Sequence, residues 1–159
     1  MPPTVTDRLR ELKIDLPPPP EARGAYSPVV VSERRAWVAG QIVLEQGEVA
    51  SPGTVDHDVS VEVAQGLARR ATLQAISALD RALNSIDRVR RIDRVVVYVA
   101  SSPGFYRQHE VANGATELLV EIWGPDGRPA RSAVGVAALP LNAPVEVEVS
   151  AWTFGTGTY

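Results

Sequence analysis

One arginine and two glutamates near the end of the sequence have the types and the spacing that could build a polar pocket. In residues 145–149 valines alternate with Glu146 and Glu148, so the two carboxylates share one face of a predicted strand. In the strand before it, Arg131 and Ala133 share a face by the same alternation. A guanidinium near two carboxylates is a set of groups suited to binding a small charged molecule.

The relation between these side chains depends on how the two strands pair. A turn centred between Leu139 and Pro140 would join them as a hairpin. Arg131 then lies opposite Glu148, and Glu146 is one diagonal step, roughly 7 Å, away. All three would border one pocket. The alternative is a surface cross-strand ion pair of little energetic value, which the alternation alone favours.

Other polar clusters give weaker indications. Residues 56–58 (DHD) could ligate a cation, but aspartates before a helix are common loop formers. His109 begins like a zinc-protease helix, yet Asn113 stands where the second histidine is required. The arginines in residues 88–94 are interleaved with aspartates, which favours a solvated junction over a phosphate site. We therefore expect neither a metal site nor a cofactor.

The composition excludes several functions. The 159 residues include no cysteine, which rules out thiol catalysis, disulfides and cysteine-bound metals. The net charge of −3 argues against broad electrostatic capture of nucleic acid or anionic membranes. No apolar run approaches the roughly 18 residues of a membrane-spanning helix. With no secretory leader visible, the cytoplasm is the expected location.

Periodicity divides the chain into an arm, one domain and a tail. Val5, Leu9 and Leu12 predict a short amphipathic helix that ends at Leu16, before an extended spacer of four prolines. The arm is residues 1–23, the domain residues 24–153 and the flexible tail residues 154–159. Residues 155–157 (GTG) have part of the glycine spacing of a dinucleotide-binding loop, but no helix follows them, which favours a frayed terminus over a phosphate-binding loop.

The domain is predicted to be an α+β sandwich of order β-β-α-β-α-β-β, with the helices on one face of a mixed sheet. Strands are expected at 26–31, 36–42 and 94–100, with a final hairpin at 131–137 and 145–152. Helices are expected after the N-cap Ser60 and over about 105–123. Gly66 and a row of small residues would let the first helix pack closely. Its apolar face contains Ala64, Leu67, Ala71, Ala75, Ala78, Leu79, Ala82 and Ile86.

The residues at the carboxyl end also resemble a family signature. Residues 130–136 (ARSAVGV), the Leu139–Pro140 pair and residues 146–148 (EVE) are similar to the Rid family, formerly YjgF. Its members are also called L-PSP endoribonucleases. The similarity extends to residues 40–42 (GQI) and to Tyr26, and it covers about residues 24–152.

This resemblance implies a chorismate-mutase-like (ferredoxin-like) fold that assembles as a homotrimer, with three clefts between subunits. It also implies cofactor-free hydrolysis of enamines and imines, such as 2-iminopropanoate, to 2-keto acids and ammonia. Arg131 would hold the substrate carboxylate through both of its oxygens, and Glu146 would position or activate the water. The expected partners are a small carboxylate substrate and further copies of the chain, with no nucleic acid and no membrane.

Five further residues are expected at the substrate by the same resemblance. The backbone at Gly40 would contact the substrate, and Tyr26 would close the cleft from the neighbouring subunit. Glu148, Ala133 and Asn113 would border the bound molecule. Ala133 replaces the family's usual cysteine, so activity tuned by oxidation of that thiol is absent.

Two departures leave the activity open. The N-terminal arm and residues 112–121 resemble a subgroup sometimes labelled chorismate-mutase-like, and an altered cleft wall between Tyr106 and Asn113 could admit a different ligand. One alternative is a non-catalytic trimer that binds small carboxylates. A second is a ribonuclease, which is disfavoured because the sequence lacks the usual histidine pair or metal cluster and a basic groove.

Overall fold

The structure, a computed structural model, describes residues 3–155. Helices and strands follow the predicted order, with one additional hairpin made of two strands of two residues each. The helices are α1 (Val5–Glu11), α2 (Val61–Leu83) and α3 (Gln108–Trp123). The strands are β1 (Val29–Ser32), β2 (Arg35–Gln41), β3 (Leu44–Glu45), β4 (Glu48–Val49), β5 (Val89–Ala100), β6 (Ala130–Val136) and β7 (Val145–Thr153).

The N-terminal helix is shorter than predicted. A capping box of Thr4 and Asp7 begins it, and it ends at Glu11 rather than at Leu16. Lys13 has a left-handed backbone conformation (φ 55°), which turns the chain away from the helix axis. The chain then continues without regular structure to residue 23. Among residues 3–155 no helix is long and apolar enough to cross a membrane.

The five-stranded sheet has the order β1-β2-β7-β5-β6. The predicted hairpin of the last two strands is wrong, because β5 lies between β6 and β7. β6 pairs with β5 in parallel, with Arg131 beside Val95, and β7 pairs with β5 antiparallel, with Glu146 beside Tyr98. A parallel pair needs a crossover connection, and α3 provides it between β5 and β6. Arg131 is therefore not opposite Glu148.

The helices pack on one face of this sheet, which confirms the predicted α+β class. Val95, Val97 and Val99 of β5 point toward the helices, and so do the three valines of β7. Residues between them point to the other face, which carries no helix. Exposed apolar side chains remain on that open face, including Trp37, Val30 and Val134.

α2 begins and ends where polar residues satisfy its backbone. The Oγ of Ser60 accepts a hydrogen bond from the Val63 amide (3.2 Å), so the predicted N-cap is confirmed. Asn84 ends the helix in a left-handed conformation (φ 59°). The predicted apolar face holds as far as Leu79. Ala82 is exposed, and Ile86 lies in a following 3₁₀ turn, so Leu83 completes the buried row instead.

Close approach of the two long helices depends on Gly114 rather than on Gly66. A Cβ added to Gly114 in α3 would overlap the carbonyl oxygen of Gln65 in α2. Gly66 was expected to serve close packing, but a Cβ there would meet no atom within 4 Å. α2 and α3 are thus held at a distance that only a glycine in α3 permits.

Two glycine-to-alanine variants test this contact. Gly114→Ala should lower the free energy of unfolding by about 1–3 kcal/mol, because backbone atoms must separate to admit the methyl group. Gly66→Ala should raise it by up to about 1 kcal/mol, because alanine favours a helix and has space. Urea unfolding followed by circular dichroism measures both. Equal effects of the two substitutions would contradict the assignment.

Candidate functional site

Three of the residues expected at the substrate line one cavity. Tyr26, Gly40 and Glu146 border a cavity of about 780 Å³ between the end of β2, β7 and the N-terminal arm. We call it the Glu146 cavity. Residues of the arm, of β2 and β3, of α2 and of the connecting loops complete its wall. These residues are Pro20, Glu21, Ala22, Arg23, Pro28, Ala39, Gln41, Ile42, Leu44, Gln74, Pro140 and Leu141.

Gly40 fixes where the Glu146 carboxyl group lies. A Cβ on Gly40 would overlap Glu146 Oε1, so the carboxyl group rests directly on the β2 backbone. The pairing of β2 with β7 shifts register between Val38 and Gln41, which places Gly40 in this irregular segment. Because Gly40 has no side chain, the Glu146 carboxyl group can occupy the position that a Cβ of residue 40 would take.

Glu146 is half-buried and lies close to a second carboxylate. Burial, and then the negative charge of Glu148, raise the pKa of Glu146 above its ordinary value of 4.5. Glu148 accepts a hydrogen bond from the hydroxyl of Tyr98 at 3.2 Å. Burial and the Glu148 carboxylate also raise the pKa of Tyr98, so the phenol remains a donor. Glu146 is thus suited to exchange a proton with a bound molecule.

Arg131 lies in a different place, against α3. Its Nη1 donates to Asn113 Oδ1 at 2.8 Å and to Thr116 Oγ1 at 3.1 Å. Within residues 3–155 the Nη2 and Nε groups have no protein acceptor, so those donors can meet a carboxylate. Arg131 and Thr116 border a second cavity, of about 610 Å³, that we call the Arg131 cavity.

The side chains of Arg131 and Glu146 point to opposite faces of the sheet. Arg131 pairs with Val95, whose side chain faces the helices, whereas Glu146 pairs with Tyr98 on the open face. Two strand spacings and three residues along β5 separate their Cα atoms by about 14 Å. One chain therefore cannot bring Arg131 and Glu146 to the same small molecule.

The other predicted residues divide between these two places. Asn113 binds Arg131, and Ala133 packs against the core on the helix side of β6. Glu148 shares the open face with Glu146, as the alternation predicts. The sequence analysis missed Thr116 as a contact of Arg131. Its position one turn after Asn113 on the same helix is the signal that could have identified it. Gln74, a polar residue within the apolar face of α2, was missed in the same way.

Clusters considered for metal binding remain apart from both cavities. His57 contacts Asp58 at 2.8 Å on a loop, and His109 lies at the start of α3 beside Glu110. Within residues 3–155 no group of three or more His, Asp or Glu side chains is arranged to hold a metal ion.

Comparisons with known proteins identify the family. A sequence profile described as Endoribonuclease L-PSP matches residues 18–153. Protein TCP17 of Trypanosoma cruzi is 38% identical over 145 residues, covering 91% of each chain. The match with TCP17 therefore includes most of the chain.

Solved structures show the same fold. Protein Atu1372 of Agrobacterium tumefaciens is 36% identical, with a TM-score of 0.83 over 94% of this chain and 92% of that one. RidA of the Antarctic bacterium Psychrobacter sp. PAMC 21119 has a TM-score of 0.60 and 23% identity, over 84% of this chain and 93% of its own.

The raised pKa of Glu146 has a measurable effect on stability. The folded chain binds this proton more tightly than the unfolded chain, so the ionised carboxylate costs stability above its raised pKa. The cost disappears as the pH falls below 4.5, where the group is protonated in both states. Glu146→Gln should therefore raise the melting temperature at neutral pH and leave it nearly unchanged at about pH 4.

Melting curves of Glu146→Gln and of Glu48→Gln across this pH range provide the measurement. Glu48 is exposed on β4, so its substitution controls for the loss of one negative charge. A stabilisation by Glu146→Gln that grew as the pH fell would contradict the assignment.

Proposed function

The chain belongs to the Endoribonuclease L-PSP family, also called the Rid or YjgF family, and on that premise we propose that it hydrolyses 2-imino acids to 2-keto acids and ammonia. Water adds its oxygen to the imine carbon, the carbon–nitrogen bond breaks, and ammonia leaves with the protons. The observation that carries the proposal is the pair of half-sites, one with a carboxylate-binding arginine and one with a half-buried glutamate. No cofactor enters this reaction.

Glu146 supplies the proton transfer in this proposal. Its carboxylate accepts a proton from the attacking water and returns it to the departing nitrogen. A pKa raised by burial and by Glu148 brings the group closer to neutral pH, which favours transfer in both directions. Gly40 holds the carboxyl group against the backbone, so the base is positioned before the substrate binds.

Arg131 supplies the binding of the substrate carboxylate. Asn113 and Thr116 hold one nitrogen of the guanidinium, and the remaining donors point at the ligand in the planar arrangement that suits two oxygens. Because the two half-sites lie on opposite faces of one chain, Arg131 of one copy must meet the Glu146 cavity of another. A cyclic trimer contains three such junctions, one for each subunit.

The open face of the sheet supports this assembly. Trp37 (43%), Val30 (53%) and Val134 (37%) leave large fractions of apolar side chains exposed. Apolar surface grouped on a sheet face without a covering helix favours contact with another protein surface. Copies of the same chain then bury that surface and complete the active sites in one step.

A coupled assay tests the reaction. An amino-acid oxidase generates 2-iminopropanoate from alanine, and the wild-type chain should accelerate formation of the keto acid. Arg131→Ala should lower kcat/KM about 10- to 100-fold, because the carboxylate loses its charged hydrogen bonds. Arg128→Ala, an exposed arginine bordering the same cavity, should retain most of the activity.

The absence of any acceleration by the wild-type chain would contradict the proposed hydrolysis. If small carboxylates still bound in an Arg131-dependent manner, the chain would be a carboxylate-binding protein instead.

Mixing two inactive variants tests whether the site is shared. Arg131→Ala subunits keep Glu146, and Glu146→Gln subunits keep Arg131, so adjacent subunits of the two kinds form one intact site. Random assembly of equal amounts should restore about a quarter of the wild-type sites. The activity of co-refolded mixtures is measured, with Arg131→Ala mixed with the double variant as control. Mixtures that stayed inactive would show that the two residues do not meet across subunits.

A further inference from the structure

Glu146 and Glu148 share one face of β7 but lean toward different neighbouring strands. They are two residues apart, so their Cα atoms are separated by roughly 7 Å along the strand. The Glu146 carboxyl group lies on the β2 side, against Gly40. Glu148 is held on the β5 side, because its Oε2 accepts a hydrogen bond from the Tyr98 hydroxyl at 3.2 Å. The two carboxyl groups are therefore held toward opposite neighbours of β7.

The hydrogen bond of Tyr98 runs diagonally between the two strands. In the ladder of β5 and β7, Tyr98 is directly opposite Glu146, and Val96 is opposite Glu148. The hydroxyl of Tyr98 nevertheless bonds to Glu148, the diagonal neighbour. Glu148 cannot turn toward Glu146 without losing this bond.

Two carboxyl groups on one face of a strand can share a proton when they are free to meet. A shared proton forms a short, strong hydrogen bond between the two oxygens, and it is then harder to remove than a proton on one carboxyl group. The phenol of Tyr98 supplies Glu148 with a donor other than a proton on Glu146. The arrangement thus leaves Glu146 to bind and release its proton alone.

The structure places few other charged groups near these carboxyl groups. Burial, and then the charge of Glu148, raise the pKa of Glu146, so within residues 3–155 Glu148 is the charged group that acts on it. The titratable and charged groups of other elements on this side are Tyr98, Arg94 and Asp93 of β5, Arg35 of β2, Glu21 and Arg23 of the arm, and, under the proposed function, Arg131 of an adjacent copy. Of these, Tyr98 makes a hydrogen bond to the pair.

We propose that Tyr98 is a positioning residue for the hydrolysis: by holding Glu148, it prevents the two carboxyl groups from sharing a proton and leaves Glu146 free to act as the base. In this role Tyr98 touches neither substrate nor water and acts only through Glu148. The proposal rests on the proposed function, because Glu146 must accept a proton from the attacking water. That proton moves from water to Glu146 and then to the departing nitrogen, and Glu148 takes none.

The pH dependence of kcat/KM for the alanine-derived imine tests this role. Its acid limb, where activity falls as the pH falls, reports protonation of the base in the free enzyme. Tyr98→Phe should move this limb to higher pH by about 0.5–1 pH unit, because Glu148 can then turn to Glu146 and share its proton. Glu148→Gln should move the limb to lower pH by a similar amount, because the repelling charge is gone.

The double variant separates positioning from a general effect on packing. Because Tyr98 acts through Glu148, Tyr98→Phe combined with Glu148→Gln should have the limb of Glu148→Gln alone. A change in packing would instead lower kcat/KM at every pH and leave the limb in place. Glu48→Gln is the control for the loss of one exposed negative charge and should keep the wild-type limb. Thermal melting verifies that each variant folds.

An NMR titration of the glutamate side-chain carboxyl carbons measures the same ionisation without turnover, and Glu146→Gln identifies the signal of Glu146. This signal should titrate at higher pH in Tyr98→Phe than in the wild-type chain. A limb and a titration that stayed in place or moved to lower pH in Tyr98→Phe, or that moved equally without Glu148, would overturn the role of Tyr98 alone. No turnover by the wild-type chain would overturn the proposed function, and the titration would still decide whether Tyr98 keeps the two carboxyl groups apart.

Discussion

The position of β5 between β6 and β7 determines what each face of the molecule can do. Because side chains alternate along every strand, the pairing of Arg131 with Val95 and of Glu146 with Tyr98 assigns the two functional groups to opposite faces. The helices then cover one face, where α3 holds Arg131. The other face remains open around Glu146. Under the proposed function a single chain therefore carries two separate half-sites, and the open sheet face proposed to support association is also the face that carries the glutamate.

Local patterns in the sequence predicted which residues share a face, and they failed at the choice of neighbouring strands. The alternation of valine and glutamate in β7 gave the correct faces, and Ser60 marked the start of α2. The hairpin was wrong because a pattern of period two specifies the face of a strand and carries no information about its partner. The predicted strand–helix–strand order of β5, α3 and β6 pointed instead to a parallel pair, which is what the sheet contains.

The candidate site shows the same division between local and long-range information. The family signature led to Arg131, Glu146 and Gly40, because these residues belong to short conspicuous motifs. Gln74 carries no motif, and it meets residues 20–23 of the N-terminal arm at the Glu146 cavity only because the fold brings together parts of the chain about fifty residues apart. Its single sequence signal is a polar residue within the apolar row of α2. The burial of Glu146 is likewise a product of tertiary structure; it opposes stability, and in the proposed mechanism it favours proton transfer by the carboxyl group.

The central place of β7 also constrains how the molecule forms during synthesis. Among the strands of residues 3–155 it is made after all the others, yet it lies between β2 and β5 and pairs with both. Until β7 emerges, the edges of β2 and β5 that pair with it remain unpaired, and α2 separates these two strands in the nascent chain. The sheet therefore closes only after translation has passed residue 153, and the incomplete chain exposes surfaces that invite aggregation or chaperone binding. Cotranslational folding is thus limited to the helices and to the β1–β2, β3–β4 and β5–β6 pairs.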